Sequence, residues 1–548
     1  MRARALPVVL AAGLVAAGCT GSGQDESGSP GTDVDSVTTS SPAESLTVLP
    51  EDDAAELALG TSGLLFDRAP VVVTVREDDR AGLLLGASAA VGLGVPLLLE
   101  GEADALADEL DRLGADTVLA VGEADGDIGG DGPDVIRVPA TPHAVAEAAR
   151  LSLAEADPVP DEGGLDAVAG LDSDAPAALI PVGEEPEDGD ADVERVPEID
   201  PGDARTETVV LVSGDDDASV AAVATARAAG AMVVVLDDTD PRGSEAARSA
   251  LSDEGTEAVV ALGGGLGDAD GFDWKLETAA TGTELPGGGQ LLFPGRLLIA
   301  LYGHPGTGAL GVLGEQPLEA AIQRARDHAA PYEPLAGDRT VVPAFEIIAT
   351  VASTEAGADG DYSNEADIEL LRPWVEAAGE AGVYVVLDLQ PGRTDFVTQA
   401  ELYRPLLELP HVGLALDPEW RLGPGEVHLT QIGSVGIEEV NRVVTWLADL
   451  TREGRLPQKL LVLHQFRLDM LPGREFLDTS RDELAIMIHA DGQGPQGSKQ
   501  ATWNALRQGA PEGITWGWKN FYDEDVPMLT PEQTMEQVQP TPDLVTYQ

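Results

Sequence analysis

The stretch VGLALDPEWRLGPGE, Val412–Glu426, holds the pattern on which the fold turns. An apolar run with small residues at Gly413 and Ala415 ends abruptly in Asp417, Pro418, Glu419 and Trp420. Continuous Val/Leu runs belong to strands covered on both faces, the signature of a parallel sheet with helices outside it. Residues two apart on a strand share a face, so Asp417 and Glu419 lie on the side of Gly413 and Ala415. Small residues below two carboxylates suit the crowded inside of a closed barrel. Pro418 points the other way, and its missing N–H matters little at a strand end.

Outward from this stretch the same grammar recurs from Arg296 to the end of the chain. Candidate strands are Leu297–Gly303, Thr340–Val351, Gly382–Gln390, Val412–Asp417, Glu426–Gly433, Lys459–Phe466, Leu484–Asp491 and Gly513–Lys519. Helix starts are read at Ser363, at Ser434 and at Thr530, where Pro531 and Gln533 complete a capping box. Eight strands alternating with helices predict a (β/α)8-like barrel. Pro418–Gly425 is too short to hold a helix, so an irregularity is expected between the fourth and fifth strands.

Chemistry in this fold sits at the carboxyl ends of strands. Those ends carry Tyr302 and His304, Glu346, Asp388 and Gln390, Asp417 and Glu419, Gln431, His464 and Gln465, His489 and Asp491, and Lys519. Of the 7 histidines, His304, His464 and His489 all fall there. With Asp491 these three have the ligand chemistry of a metal site, but no HExxH-like spacing accompanies them, and neither metal nor cofactor is expected. The competing reading of Asp417 and Glu419 is a strand end tied by ion pairs to Arg421 or Lys519. Carboxylates facing a barrel mouth cost desolvation unless used or paired, which favours a working site.

The amino-terminal half repeats itself. Val71–Glu123 and Val209–Gly265 each read as buried strand, acidic turn, Ala-rich helix, buried strand, helix, buried strand. A period this long is a domain-scale duplication of parallel, three-layer α/β units. Between the copies, acidic loops flank a degenerate unit around VIRVPATPHAVAEAARLSL and APAALIPVG. Gly263–Asp268 follows a strand but lacks the GxGxxG-to-helix junction of a dinucleotide site.

The segments GAMVVVL and VVALGGG resemble the cell wall-binding repeat type 2 family, over roughly residues 69–268. The resemblance implies an α/β fold and cell-wall polysaccharide as a partner. The Asp-x-Glu ending of the fourth strand resembles that of glycosidase barrels of the chitinase-like and lysozyme-like families. There the Glu protonates the leaving oxygen and the Asp supports it, which maps onto Glu419 and Asp417, with Asp388 or Asp491 as partner. Tyr302, His304, Glu346, Gln390, His464, Gln465, His489, Trp516 and Lys519 would then contact substrate, and Trp420, Trp516 and Trp518 would stack on sugar rings. The strand pattern and LPQKLLVLHQF are also similar to secreted actinobacterial proteins of no assigned activity.

The chain opens MRARALPVVLAAGLVAAGCTGSG. A basic start, a short apolar run and small residues before Cys19 make a secretory signal, and the ending resembles a bacterial lipobox. Cys19 is the only cysteine, so no disulfide forms within one chain, and its place predicts lipidation. Residues 1–19 are thus read as signal and lipidation site and 20–45 as a flexible linker. Residues 46–290 form the repeat-like α/β region and 291–548 the barrel. The expected location is extracytoplasmic, anchored by lipid to the outer face of the cell membrane.

A net charge of -65, with 97 Asp+Glu against 32 Lys+Arg, repels nucleic-acid phosphates and excludes nucleic acid as a partner. A saline habitat accounts for such a surface, since salt screens its self-repulsion. Two functions fit these readings: a glycosidase-like barrel acting on envelope or extracellular polysaccharide, and a non-catalytic surface lipoprotein that binds polysaccharide or has a structural role in the envelope.

Overall fold

The computed structural model describes residues 35–126, 132–183, 193–202, 207–214 and 217–548. The expected signal, Cys19 and the first part of the linker lie outside these residues. The end of that linker is packed rather than free. Asp35–Ser36 pairs with Ile199–Asp200, Thr38–Thr39 pairs with Phe66–Arg68, and Val37 between them is buried.

The two repeats fold alike. In the first, strand Val71–Val75 lies between Leu97–Leu99 and Thr117–Val121, all parallel. In the second, Thr208–Ser213 lies between Met232–Leu236 and Ala258–Leu262, again all parallel. Each sheet gains a fourth parallel strand from a different direction along the chain. The first takes Asp134–Val138, which follows it, and the second takes Leu46–Leu49, from the amino terminus. The expected middle unit survives as helix Pro142–Ala149, helix Gly164–Ala169 and a short parallel pair, Ala154–Glu155 with Ala177–Ala178. Ala-rich helices Arg80–Leu93 and Val220–Ala228 are buried along nearly their whole length. Their small side chains let backbones approach closely, and helix Arg80–Leu93 ends at Gly94 in the left-handed region that Gly adopts without strain.

The second half closes into a barrel of eight parallel strands. They are β1 (Arg296–His304), β2 (Thr340–Ala352), β3 (Tyr384–Leu389), β4 (Val412–Leu416), β5 (Lys459–Gln465), β6 (Leu484–Ala490), β7 (Thr515–Asn520) and β8 (Leu544–Tyr547). β8 pairs with β1 and completes the ring. The architecture is therefore α/β, with duplicated parallel units followed by a (β/α)8 barrel.

Two details differ from the sequence reading. Glu426–Gly433 is not a strand but a loop of turns, and the eighth strand is Leu544–Tyr547. The loop alternates apolar and polar residues like a strand, but Leu429 has φ of 64°, which breaks extended backbone. Its apolar members Val427, Leu429 and Ile432 are left exposed rather than packed as a strand's would be, Leu429 at 80%. With this loop removed from the strand count, the expected irregularity disappears: β4 and β5 are joined through helix Ile437–Glu453. Two helix starts also move. Asp367, not Ser363, caps helix Ile368–Glu380, and Gly436, not Ser434, precedes helix Ile437–Glu453. Ser363 instead begins a short strand that extends β2 antiparallel. The capping box of Thr530 and Gln533 forms in full.

The barrel interior is layered. Its packed floor holds Leu298, Ala300, Val342, Ala344, Tyr384, Val386, Ala415, Leu460, Val462, Ala485, Met487 and Leu544. Two residues further along, each strand or its carboxyl end sends one polar side chain inward: Tyr302, Glu346, Asp388, Asp417, His464, His489, Lys519 and Thr546. Register makes this ring. Tyr302 pairs with Glu346, His464 with His489 and Lys519 with Thr546, so these need no offset. Asp388 instead faces Ile348 and Ala415, His489 faces Gly517, and Thr546 faces Ala300. Four offsets of two residues make a shear of about eight, the value of this barrel class.

Candidate functional site

Every member of the ring is buried. His464 stands at its centre. Its Nε2 lies 2.6 Å from Glu346 Oε1 and 3.9 Å from Asp388 Oδ1. Its Nδ1 lies 3.1 Å from Asp491 Oδ2 and 3.7 Å from Asp417 Oδ1. Burial alone would keep this ring neutral, but Asp417, Glu346 and Asp491 around it hold it protonated well above the usual histidine range. His489 behaves oppositely. Burial, then the neighbouring His464 and Lys519, hold it neutral, far below its ordinary value. The neutral His489 has its Nδ1 3.3 Å from His464 Nδ1, whose hydrogen goes to Asp491, and its Nε2 3.2 Å from Thr546 Oγ1.

The carboxyl groups divide in the same way. Burial pushes Asp388 up to about 6, although Tyr302 donates to its Oδ2 at 2.9 Å. Burial, then Asp388 and Glu419, push Asp417 well above the usual carboxylate range. Burial and then the nearby Asp491 charge push Glu419 up to about 8. Burial acts upward on Asp491 too, but the hydrogen bond and charge of His464 outweigh it and hold Asp491 below its ordinary value. Lys519 sits with Nζ 3.6 Å from the Tyr302 ring centroid, a cation held on an aromatic face beside the acids.

Above the ring opens a cavity of about 630 Å³. Glu419, Asp491, Tyr302, Gln390 and Lys519 reach it from the strand ends. Trp420, Phe466 and Phe521 give it aromatic walls, and Leu429–Ile432 of the loop form one side. Of the expected site residues, Tyr302, Glu419, Asp491 and Lys519 line this cavity, Glu346, Asp388, Asp417, His464 and His489 lie buried in the ring beneath it, and Gln390 reaches its rim while accepting from the Ala352 N–H. Three lie elsewhere. Gln465 points out of the barrel, bonded to Arg467 O and the Arg474 guanidinium. Trp516 also faces outward, packed edge-on to Trp503 at 5.6 Å, as Trp518 is at 5.7 Å. His304 follows the bend at Gly303 into strand Thr307–Gly311, where its Nδ1 accepts from the Gly306 N–H. Arg421 bonds Glu439 and backbone carbonyls, not the strand-end acids.

Sequence reasoning missed Thr546, Phe466 and Phe521. Thr546 lies on the short last strand, and the aromatics lie just past strand ends, where alternation no longer says which way a side chain points. Donor sets with the chemistry to hold a cation occur within the mouth: Glu346, His464 and His489; Asp388, Asp417 and His464; and Asp417, Glu419 and Asp491, each within 4.8 Å. The first two share His464, whose ring nitrogens both already face carboxylates.

No family model matches this chain, and no curated protein matches it. Among solved structures, the chain is similar to Cwp6 from Clostridium difficile, at 15% identity and a TM-score of 0.31. The match covers 64% of this chain and 63% of that one, less than two-thirds of its length. A likeness this distant carries no inference about function. What fold and mouth together define is a barrel protein with a buried histidine–carboxyl ring beneath an open, aromatic-walled cavity.

Proposed function

We propose that the barrel hydrolyses a glycosidic bond in this mouth, with Glu419 as general acid and Asp491 as its carboxylate partner. One observation carries the reading. Two carboxyl groups on one cavity are driven to opposite protonation states, Glu419 up to about 8 and Asp491 below its ordinary value. Each also has a buried oxygen with no hydrogen-bond partner among the described residues, Glu419 Oε2 and Asp491 Oδ1. His464 holds the other oxygen of Asp491.

The chemistry follows from these states. Glu419 gives its proton to the glycosidic oxygen as the bond to the anomeric carbon breaks. Asp491 Oδ1 attacks that carbon and forms a glycosyl ester. Glu419, now a carboxylate, takes a proton from water, and the water oxygen displaces Asp491. One oxygen of Glu419 lies within 4.8 Å of one of Asp491, and the retaining course is the one that needs its two carboxyl groups close together. Asp417 supports Glu419, and Asp388 and Glu346 balance His464. Trp420, Phe466 and Phe521 suit the faces of sugar rings.

The substrate class is polysaccharide of the envelope or its surroundings, reached by a protein lipid-anchored at Cys19 on the outer face of the membrane, with no nucleic-acid partner. The α/β repeats would bind wall polysaccharide. The test compares wild type with Glu419→Gln on wall-derived and model glycans. Cleavage by wild type, lost in the variant, is expected. If wild type binds a glycan but cleaves none, the barrel is the binding module of the second reading; if Glu419→Gln cleaves normally, the acid is assigned wrongly. Cys19→Ser should release the protein to the medium, and unchanged membrane retention would refute the anchor.

A further inference from the structure

At the opposite, amino end of the barrel, where the α/β region meets it, lies a second cavity of about 550 Å³. Arg242, Arg248 and Arg296 all line it, in a chain with three times more acids than bases. All three are at least nine-tenths buried. Arg242 is neutralised by Asp240, at 2.7 Å, and stacks on Trp274. The other two are less well matched. Arg248 donates to the Arg242 carbonyl at 2.7 Å and reaches only the half-exposed Glu284, at 3.6 Å. Arg296 donates to the carbonyls of Pro286 and Leu291.

Gly289 lies between them. A Cβ on this residue would sit 3.5 Å from Nη2 of both Arg248 and Arg296, so two guanidiniums converge on one small space that the glycine leaves open. Arg248 Nε and Arg242 Nη1 are buried donors with no partner among the described residues. Unmade hydrogen bonds on buried charged groups are costly. Burial, and Arg248 beside it, also lower the proton affinity of Arg296, as expected where guanidiniums crowd. The acids facing the cavity are Glu284, Asp238 and Glu245.

We propose that this cavity binds a single phosphate-class oxyanion, free or within a phosphodiester, between Arg248 and Arg296 beside Gly289. A tetrahedral oxyanion directs its oxygens to several sides and so suits two guanidiniums that converge from different directions, whereas a carboxylate holds both oxygens in one plane. The chain's overall negative charge does not forbid it. At physiological salt, charges more than about 8 Å away are largely screened.

The test is calorimetric titration of the full chain with inorganic phosphate, a glycerol phosphodiester and acetate, alongside thermal melts. Saturable binding of phosphate or the diester, at least tenfold tighter than acetate, is expected. Whichever of the two binds more tightly identifies the source. Gly289→Asn should weaken binding at least tenfold while keeping the melt, because Asn tolerates the left-handed φ of 69° and its side chain fills the space. Arg248→Gln should do the same. Acetate binding as well as phosphate, no saturable binding, or full binding by both folded variants would overturn the site. Neither variant touches the barrel mouth, so failure here leaves the glycosidase reading standing, and the reverse.

Discussion

Carboxylates end strands in both halves of this molecule, and they do different work. In the α/β repeats they are spent on backbone. Asp79 accepts from the Gly82 N–H at 2.9 Å and the Glu123 N–H at 2.8 Å, and Glu100 accepts from Asp125 and Gly126. Asp53 caps helix Ala54–Leu65 through two N–H groups, and Asp52 reaches the Gly264 N–H. Such acids sit near solvent and satisfy orphan donors at turns and helix starts. In the barrel, Glu346, Asp388, Asp417 and Asp491 point into a closed ring, where their neighbours are one another, His464 and Lys519. An open sheet splays its strand ends toward water, whereas a closed one aims them at a common centre. The same residue types become caps in one place and mutually perturbed acids in the other.

The largest effect should come from breaking the barrel side of this contrast. Glu419→Gln should lower kcat about 10²–10⁴-fold on any glycan that wild type cleaves, the usual contribution of a general acid. Asp79→Asn, at a strand end of the other kind, should leave kcat within twofold, measured in the same assay.

Next in size is stability. His464→Ala leaves Glu346 and Asp491 buried without their shared cation, which should cost about 3–5 kcal/mol in urea unfolding. A loss below about 1 kcal/mol would show that the ring relaxes by taking up protons.

The pH profile of kcat/KM reports the opposed protonation states of Glu419 and Asp491 directly. Activity requires Glu419 protonated and Asp491 ionised. It should therefore fall as pH rises past about 8, and fall at the acid end only below the ordinary aspartate value of 3.8. For stability the sign at Asp388 is the reverse of an ion-paired acid. Its folded-state value is raised to about 6, so its contribution is full below 3.8 and is lost as pH rises toward 6. Asp388→Asn should flatten that part of the stability curve, which chemical denaturation at pH 4 and pH 6.5 would show.

The smallest effect belongs to the caps. Asp79→Ala should cost about 1 kcal/mol, the usual loss for a helix cap, with no change in the pH profile. A larger loss would mean that the bridge to Glu123 holds the repeat together more than the cap does.

Much of this architecture is already written in the order of residues. Uninterrupted apolar runs specified buried parallel strands, the long period exposed the duplicated units, and the residues ending each run include most of the ring. Alternation even put Asp417 above Ala415 on an inward face. Tertiary structure decided what alternation cannot. Which face of a strand turns inward is set only when the strands assemble into the closed barrel, and the offset between neighbours then decides which inward residues meet at one level. His464 faces in, so Gln465 beside it faces out, and Trp516 lies on the outward face of its own strand. Closure also chose Leu544–Tyr547 over the more strand-like Glu426–Gly433, because only the former reaches β1 and β7 to pair on both edges. His464 became the hub for the same reason. Asp491 reaches it from the neighbouring strand, but Glu346 comes from across the ring, and no local pattern links residues whose contact exists only once the sheet has closed.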